Sequence, residues 1–191
     1  FGIGEPDFEA PPPVREAAIK AIQDGHGNYI DPRGLLELRE AIAAFEGAQH
    51  GLDVDPDQIV VTPGSYGGLS LITRALLDPD DEVLVIEPGW GPYKAMVKLT
   101  GAQAVGVPMG TKQGRFVIDG DKLEAAVTAK TRAIIVNTPW NPTGRVLLPE
   151  ELAAVAKVAE RHDLWIVADE VYSELVYANA SHVSIATLGE D

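Results

Sequence analysis

Four short stretches carry residues able to do chemistry together. They are Gly64 and Ser65 in TPGSYGG, Trp90 in PGWGPY, Asn141 in VNTPWNPTG, and Asp169 with Tyr172 in VADEVY. Each has an ordinary reading and a chemical one. Gly64 and Ser65 stand between an apolar run and a helical one, where exposed backbone N–H groups and a helix dipole favour an anion. The ordinary alternative is a tight turn. The pattern is neither G-x-G-x-x-G nor G-x-x-x-x-G-K-[ST], so nucleotide fingerprints do not match. Trp90 is either core packing or a flat face for an aromatic ligand. Asp169 closes the apolar run LWIVA, where a carboxylate is costly without a cationic or hydrogen-bonding partner. It is either an N-cap for the next segment or the partner of a protonated ring nitrogen. Tyr172, three residues on, either packs or points its phenol at the same place. Asn141 sits between Pro139 and Pro142. Asn-Pro favours turns, but two prolines also fix the backbone and are the residues that admit cis bonds. Such a loop can hold one amide in one place.

These residues need a frame that brings them to one rim. The spacing predicts helices over 11–25, begun by prolines and stopped by Gly25, and over 35–51, closed by Gly51. Further helices are expected at 67–77, 91–101, 119–128, with an acidic first turn, and 149–163, opened by Pro149. Between them the β-branched and apolar runs 58–62, 82–88, 103–109, 132–138 and 164–170 read as strands. Strands alternating with helices give βαβ units and a mostly parallel sheet. Such sheets bind ligands beyond the carboxyl ends of their strands. The segments after four of the strands carry Gly, Asn, Asp, Tyr or Trp, and this convergence weighs more than any single motif.

Composition narrows the function. With 15 basic against 29 acidic residues the formal charge is −14. A nucleic-acid surface is therefore not expected, since phosphate contacts need clustered Lys and Arg. There is no cysteine, which excludes a disulfide framework and thiolate metal sites and is consistent with a reducing cytoplasm. No metal, no membrane partner and no signal peptide are expected, and no apolar run approaches the roughly 20 residues of a span. Hydrophobic residues make up 46% of 191, enough for one sizeable core. The opening FGIGEPDF reads as mid-segment, and a fragment of a longer protein is expected.

GEPDF, YIDPRGLLELREAI, VVTPGSYGGL, PGWGPY, NTPWNPTG and VADEVY occur in this order. Together they resemble the class I/II aminotransferases, enzymes of pyridoxal 5′-phosphate with the fold type I architecture. NPTG and DEVY at this spacing are the most specific parts, and the resemblance covers essentially the whole chain. It implies an α/β fold with a mostly parallel sheet in an α/β/α sandwich, here incomplete. Residues 1–30 would be an N-terminal segment of the small domain and interface, and 31–191 part of the cofactor-binding large domain. It implies that Gly64, Ser65 and Tyr66 sit at the cofactor phosphate and that Trp90 stacks on the pyridine ring. Asn141 and Tyr172 would hydrogen-bond the phenolic oxygen, and Asp169 would pair with the ring nitrogen. Tyr29 would reach the phosphate of the cofactor in the partner subunit, and Gly4 would line the site of the substrate α-carboxylate. The residue types suit this cofactor on their own terms. It is an electron sink once its nitrogen is protonated, and a nearby carboxylate favours that charged form.

The resemblance also implies an amino acid and a 2-oxo acid as substrates, a cytoplasmic homodimer, and two later strands lying between 58–62 and 164–168. The family's Schiff-base lysine belongs to a segment downstream of DEVY. None of Lys20, Lys94, Lys98, Lys112, Lys122, Lys130 or Lys157 stands at a matching position, so the catalytic lysine is expected to be absent from this chain. Two other readings stay open: a related lyase or synthase on the same scaffold, and a non-catalytic sensor domain of aminotransferase type. Trp140 receives no role.

Overall fold

In the computed structural model, residues 4–177 and 180–188 are described; the outer ends of both expected units, residues 1 and 191, lie outside them. The sheet is built from β1 (Glu82–Glu87), β2 (Gln103–Pro108), β5 (Thr131–Asn137) and β6 (Trp165–Asp169). Its order is β2-β1-β5-β6 and every pairing is parallel. Four of the five expected strands thus lie within one residue of their observed ends. A small antiparallel hairpin, β3 (Gly110–Lys112) with β4 (Arg115–Val117), was not expected. Strands of three residues give no period to read, and Gly114 at φ 74° makes its turn.

Alternation along the strands splits the core into two. Val83, Val85, Ala133, Ile135 and Val167 face one side of the sheet. There they meet Leu69 of α3 (Gly64–Leu76) and Tyr93, Met96 and Val97 of α4 (Pro92–Leu99). Leu84, Ile86, Ile134 and Val136 face the other side. They pack on Leu123 of α5 (Gly120–Ala126) and on Leu152, Val155 and Val158 of α6 (Pro149–His162). A parallel sheet covered on both faces has both sides of each strand apolar, which is why these strands read as continuous runs. Leu84, Ile134, Val136 and Val97 are fully buried.

The N-terminal helices pack less. α1 (Pro12–Gln23) buries none of its residues, and Val14, Ile19 and Ile22 are exposed. α2 (Leu36–His50) ends on Gly51 in the left-handed region, φ 71°.

Two expectations need correction. The run 58–62 is not a strand. Ile59 is extended, but β6 and β2 are the edges of the four-stranded sheet, and neither takes the run as a neighbour. The N–H of Val61 donates instead to the carbonyl of Arg33 at 2.8 Å. β-Branched residues favour extended backbone, but a ladder forms only where a second strand supplies partners. The helix expected at 67–77 begins at Gly64. Gly64 adopts φ 69° at the turn, so the glycine-rich segment belongs to the first turn of the helix rather than to a loop before it.

Candidate active site

Because the four strands are parallel, their carboxyl ends share one rim. β1 ends at Glu87 and leads to Trp90, β5 ends at Asn137 and leads to Asn141, and β6 ends at Asp169. A cavity of about 420 Å³ opens there, a size suited to one small cofactor. Gly4, Gly64, Ser65, Tyr66, Trp90, Asn141, Asp169 and Tyr172 all line it. Tyr29 does not. It is fully solvent-exposed, in the segment between α1 and α2.

Part of the cavity wall is the N-terminus of α3. Its N-cap residue, Pro63, gives no side-chain hydrogen bond to the first turn, so these N–H groups are not satisfied by a cap. A side chain at Gly64 would meet nothing within 4 Å; glycine is needed there for its positive φ, not for space. The half-buried Trp90 ring lies perpendicular to two phenols, 5.7 Å from Tyr66 and 5.3 Å from Tyr93 between centroids.

Asp169, another residue of the lining, is 7% exposed. Its Oδ2 accepts the Tyr93 hydroxyl at 2.7 Å and its Oδ1 accepts the Val171 N–H at 3.3 Å. Residues 171–174 directly after it form a turn rather than a helix, so Asp169 caps no helix there and makes only that one turn contact. Burial, and then the hydrogen bond to Asp169, push the Tyr93 phenol far above its ordinary 10. It therefore stays protonated and donates. Tyr172 stands against Gly4: a Cβ on Gly4 would lie 2.4 Å from the Tyr172 hydroxyl.

The loop that carries Asn141 is held from several sides. The peptide bonds before Pro139 and Pro142 are both cis, as is the one before Pro88. The Trp140 indole, 2% exposed, donates to the Pro88 carbonyl at 2.6 Å, tying this loop to the one that carries Trp90. Leu147 N–H donates to Thr138 Oγ1 at 3.1 Å. Arg145 makes a two-pronged pair with Glu151 of α6. Asn137 accepts the Asn141 N–H through its Oδ1 at 2.6 Å and donates through Nδ2 to the Asp169 carbonyl at 2.8 Å.

Tyr93 and Asn137 line the cavity and were missed in the sequence. Asn137 lay in the same stretch as Asn141, but only the register of β5 on β6 places it beside Asp169. Tyr93 is separated from Asp169 by 76 positions, and a tyrosine on an apolar helix face signals packing. Among the described residues no cluster of His, Asp or Glu could hold a metal ion, and no helix is long and apolar enough to cross a membrane.

The family of aminotransferases of class I and II matches residues 1–191. The chain belongs to that family. Its class I/II relatives include an aspartate aminotransferase of Geobacillus stearothermophilus, 41% identical over 100% of this chain and 48% of its own. A probable aspartate/prephenate aminotransferase of Thermus aquaticus is 42% identical over 98% of this chain and 49% of its own. Among solved structures, N-succinyldiaminopimelate aminotransferase of Mycobacterium tuberculosis superposes with a TM-score of 0.93 at 41% identity, covering 97% of this chain and 48% of that one. The aromatic aminotransferase of Pyrococcus horikoshii gives 0.94 at 40%, covering 99% and 51%. The fold is therefore that of the fold type I aminotransferases, in part: the chain spans about half the length of these relatives. The class I/II family is dependent on pyridoxal phosphate.

Proposed function

We propose that the whole protein is an aminotransferase that uses pyridoxal 5′-phosphate to move an amino group between an amino acid and a 2-oxo acid. The observation that carries this reading is the grouping around one cavity of an uncapped helix N-terminus, an indole, a loop amide and a buried carboxylate. The cofactor is anionic at one end, aromatic in the middle and basic at the other end. The donor set fits each part in kind.

In this reading the first N–H groups of α3, with Ser65 and Tyr66, bind the phosphate. Trp90 covers the ring. Asn141 and Tyr172 serve its phenolic oxygen. Asp169 pairs with the ring nitrogen and favours its protonated form by its charge. Burial strengthens that pairing, since little water competes for the carboxylate. Tyr93 keeps Asp169 in one orientation. Gly4, where a side chain would strike Tyr172, leaves bare backbone for the substrate α-carboxylate. When bound, the cofactor supplies an electron sink for the reacting carbon.

The lysine that takes the cofactor and moves the proton is assigned to the other half of a protein of the relatives' length. The same reading makes the whole protein a cytoplasmic homodimer of amino-acid biosynthesis. Residues 1–30 serve the interface and 31–191 the cofactor domain. Two features support it: α1 buries no residue and Tyr29 is fully exposed. The relatives' printed names differ in substrate, so the particular amino acid is left to assay.

The test is to load the whole protein with pyridoxal phosphate, reduce it with borohydride and map the lysine adduct by mass spectrometry. Transfer from a panel of amino acids to 2-oxo acids is measured in parallel. One stoichiometric adduct outside residues 1–191, with transfer abolished by Asp169→Ala, is expected. A single stoichiometric adduct on Lys94 or any other lysine of this chain would overturn the assignment, and so would the absence of transfer.

A further inference from the structure

Asn137 ends β5 and is 2% exposed. It pairs in register with Asp169 of β6. Its amide faces two partners of opposite kind. The Asp169 carbonyl can only accept, and the Asn141 N–H can only donate. The side chain must therefore present its NH2 to Asp169, at 2.8 Å, and its oxygen to Asn141, at 2.6 Å. One planar group joins the residue that carries the carboxylate to the residue that carries the loop amide. Aspartate offers oxygens on both sides and leucine offers nothing. Glutamine places its amide one carbon further out.

We infer that Asn137 is a positioning residue that sets the separation between the Asp169 carboxylate and the Asn141 amide, and so the two-point grip on the ring nitrogen and the phenolic oxygen of the bound cofactor. This rests on the proposed reading that those two residues hold pyridoxal phosphate. The grip is sensitive because the two groups come from different elements. Asp169 is fixed by the sheet and by Tyr93, whereas Asn141 lies in a loop. Without the Asn137 amide the loop keeps its other ties, to Pro88, Arg145 and Thr138. None of these reaches Asp169 through a side chain.

The experiment compares Asn137→Asp with Thr138→Val in the whole protein. Asn137→Asp keeps an acceptor for Asn141 but turns an oxygen toward the Asp169 carbonyl. Thr138→Val removes the acceptor of Leu147 N–H at the same strand end and leaves the Asn137 amide intact. Two quantities are read: the dissociation constant of pyridoxal phosphate from the quenching of protein fluorescence, and the pH midpoint of the bound cofactor's absorbance. Asn137→Asp is expected to weaken binding roughly tenfold and to move the midpoint by about half a pH unit or more. Thr138→Val is expected to keep the wild-type midpoint even where it lowers the melting temperature. Should Asn137→Asp be recovered unfolded, Asn137→Ser carries the same expectation, because one hydroxyl is too short to span both partners. Wild-type affinity and midpoint in the Asn137 variant overturn the inference, and so does an equal midpoint shift in Thr138→Val. A wild-type protein that takes up no pyridoxal phosphate overturns the functional reading itself, and the inference with it.

Discussion

Removing the Glu151 carboxylate tests whether the loop that carries Asn141 is braced from outside the cavity. Glu151 stands in the first turn of α6 and is 7% exposed. Oε1 accepts the Ile118 N–H at 2.8 Å and one Arg145 nitrogen at 2.8 Å. Oε2 accepts the other Arg145 nitrogen at 2.5 Å and the Leu148 N–H at 3.0 Å. Leucine has no side-chain acceptor, so only this half of a capping pair exists at the N-terminus of α6. Glu151→Ala leaves two backbone donors and a guanidinium, whose side chain is 15% exposed, without an acceptor. Removing one partner of a buried pair costs about 3–5 kcal/mol. Water reaches these groups once the loop opens, so the lower figure, about 3 kcal/mol, is the one expected here. That raises hydrogen exchange at the Ile118 and Leu148 amides by roughly 100-fold, read by mass spectrometry on the peptides that contain them. Acid gives a second reading of the same brace. Burial alone would raise the Glu151 pKa, but the Arg145 hydrogen bonds and the Leu148 and Ile118 N–H groups outweigh it and hold it below its ordinary 4.5. A carboxylate lowered in the folded state adds stability above its unfolded pKa, and that share is lost as pH falls through the folded value. The wild type therefore loosens at these amides below about pH 4.5, and Glu151→Gln lacks that increment. Exchange in Glu151→Ala within about threefold of wild type would refute the brace, since it would then carry less than about 1 kcal/mol.

Tyr93→Phe removes the buried hydroxyl from Asp169 and is expected to cost about 1–2 kcal/mol at neutral pH. Because the Tyr93 pKa is raised, this share of the wild-type stability is fully present below pH 10 and begins to be lost above it, so the difference in melting temperature between the two proteins should be smaller at pH 10.5 than at pH 7. Tyr29→Phe is expected to weaken pyridoxal phosphate binding in the whole protein without changing its sedimentation as a dimer. A fully active monomer would remove the interface role of Tyr29.

The parts of the frame that could be read are those whose signal is local. β1 is apolar at every interior position and β5 is apolar from Ala133 to Val136, as burial on both faces requires. Once the sheet is parallel, the residues after each strand must share a rim, and this puts Trp90, Asn141 and Asp169 around one cavity. The run 58–62 has the same local signal as β1, and it failed because strand formation is decided by a neighbour that residue preference does not reveal. Tyr93, Asn137 and Glu151 were illegible for a related reason. Each acts on a group many positions away, and each has a sufficient local explanation as helix packing, turn chemistry or a charged first turn.

The groups that the proposed function gives to the cofactor announce themselves by type, because pyridoxal phosphate would call for an anion site, a flat face and a carboxylate. The groups that hold them are less conspicuous, yet they decide whether the first set is usable. Asp169 is buried at the end of a strand, where a carboxylate free to rotate would turn toward whatever donor it could find. Tyr93 satisfies one oxygen and Val171 N–H the other, and the carboxylate so held lines the cavity. Asn141 is fixed in the same manner at its backbone by Asn137. Pre-orientation of this kind lowers the ordering cost of binding a rigid, flat ligand. It is a property of the packed rim rather than of any motif.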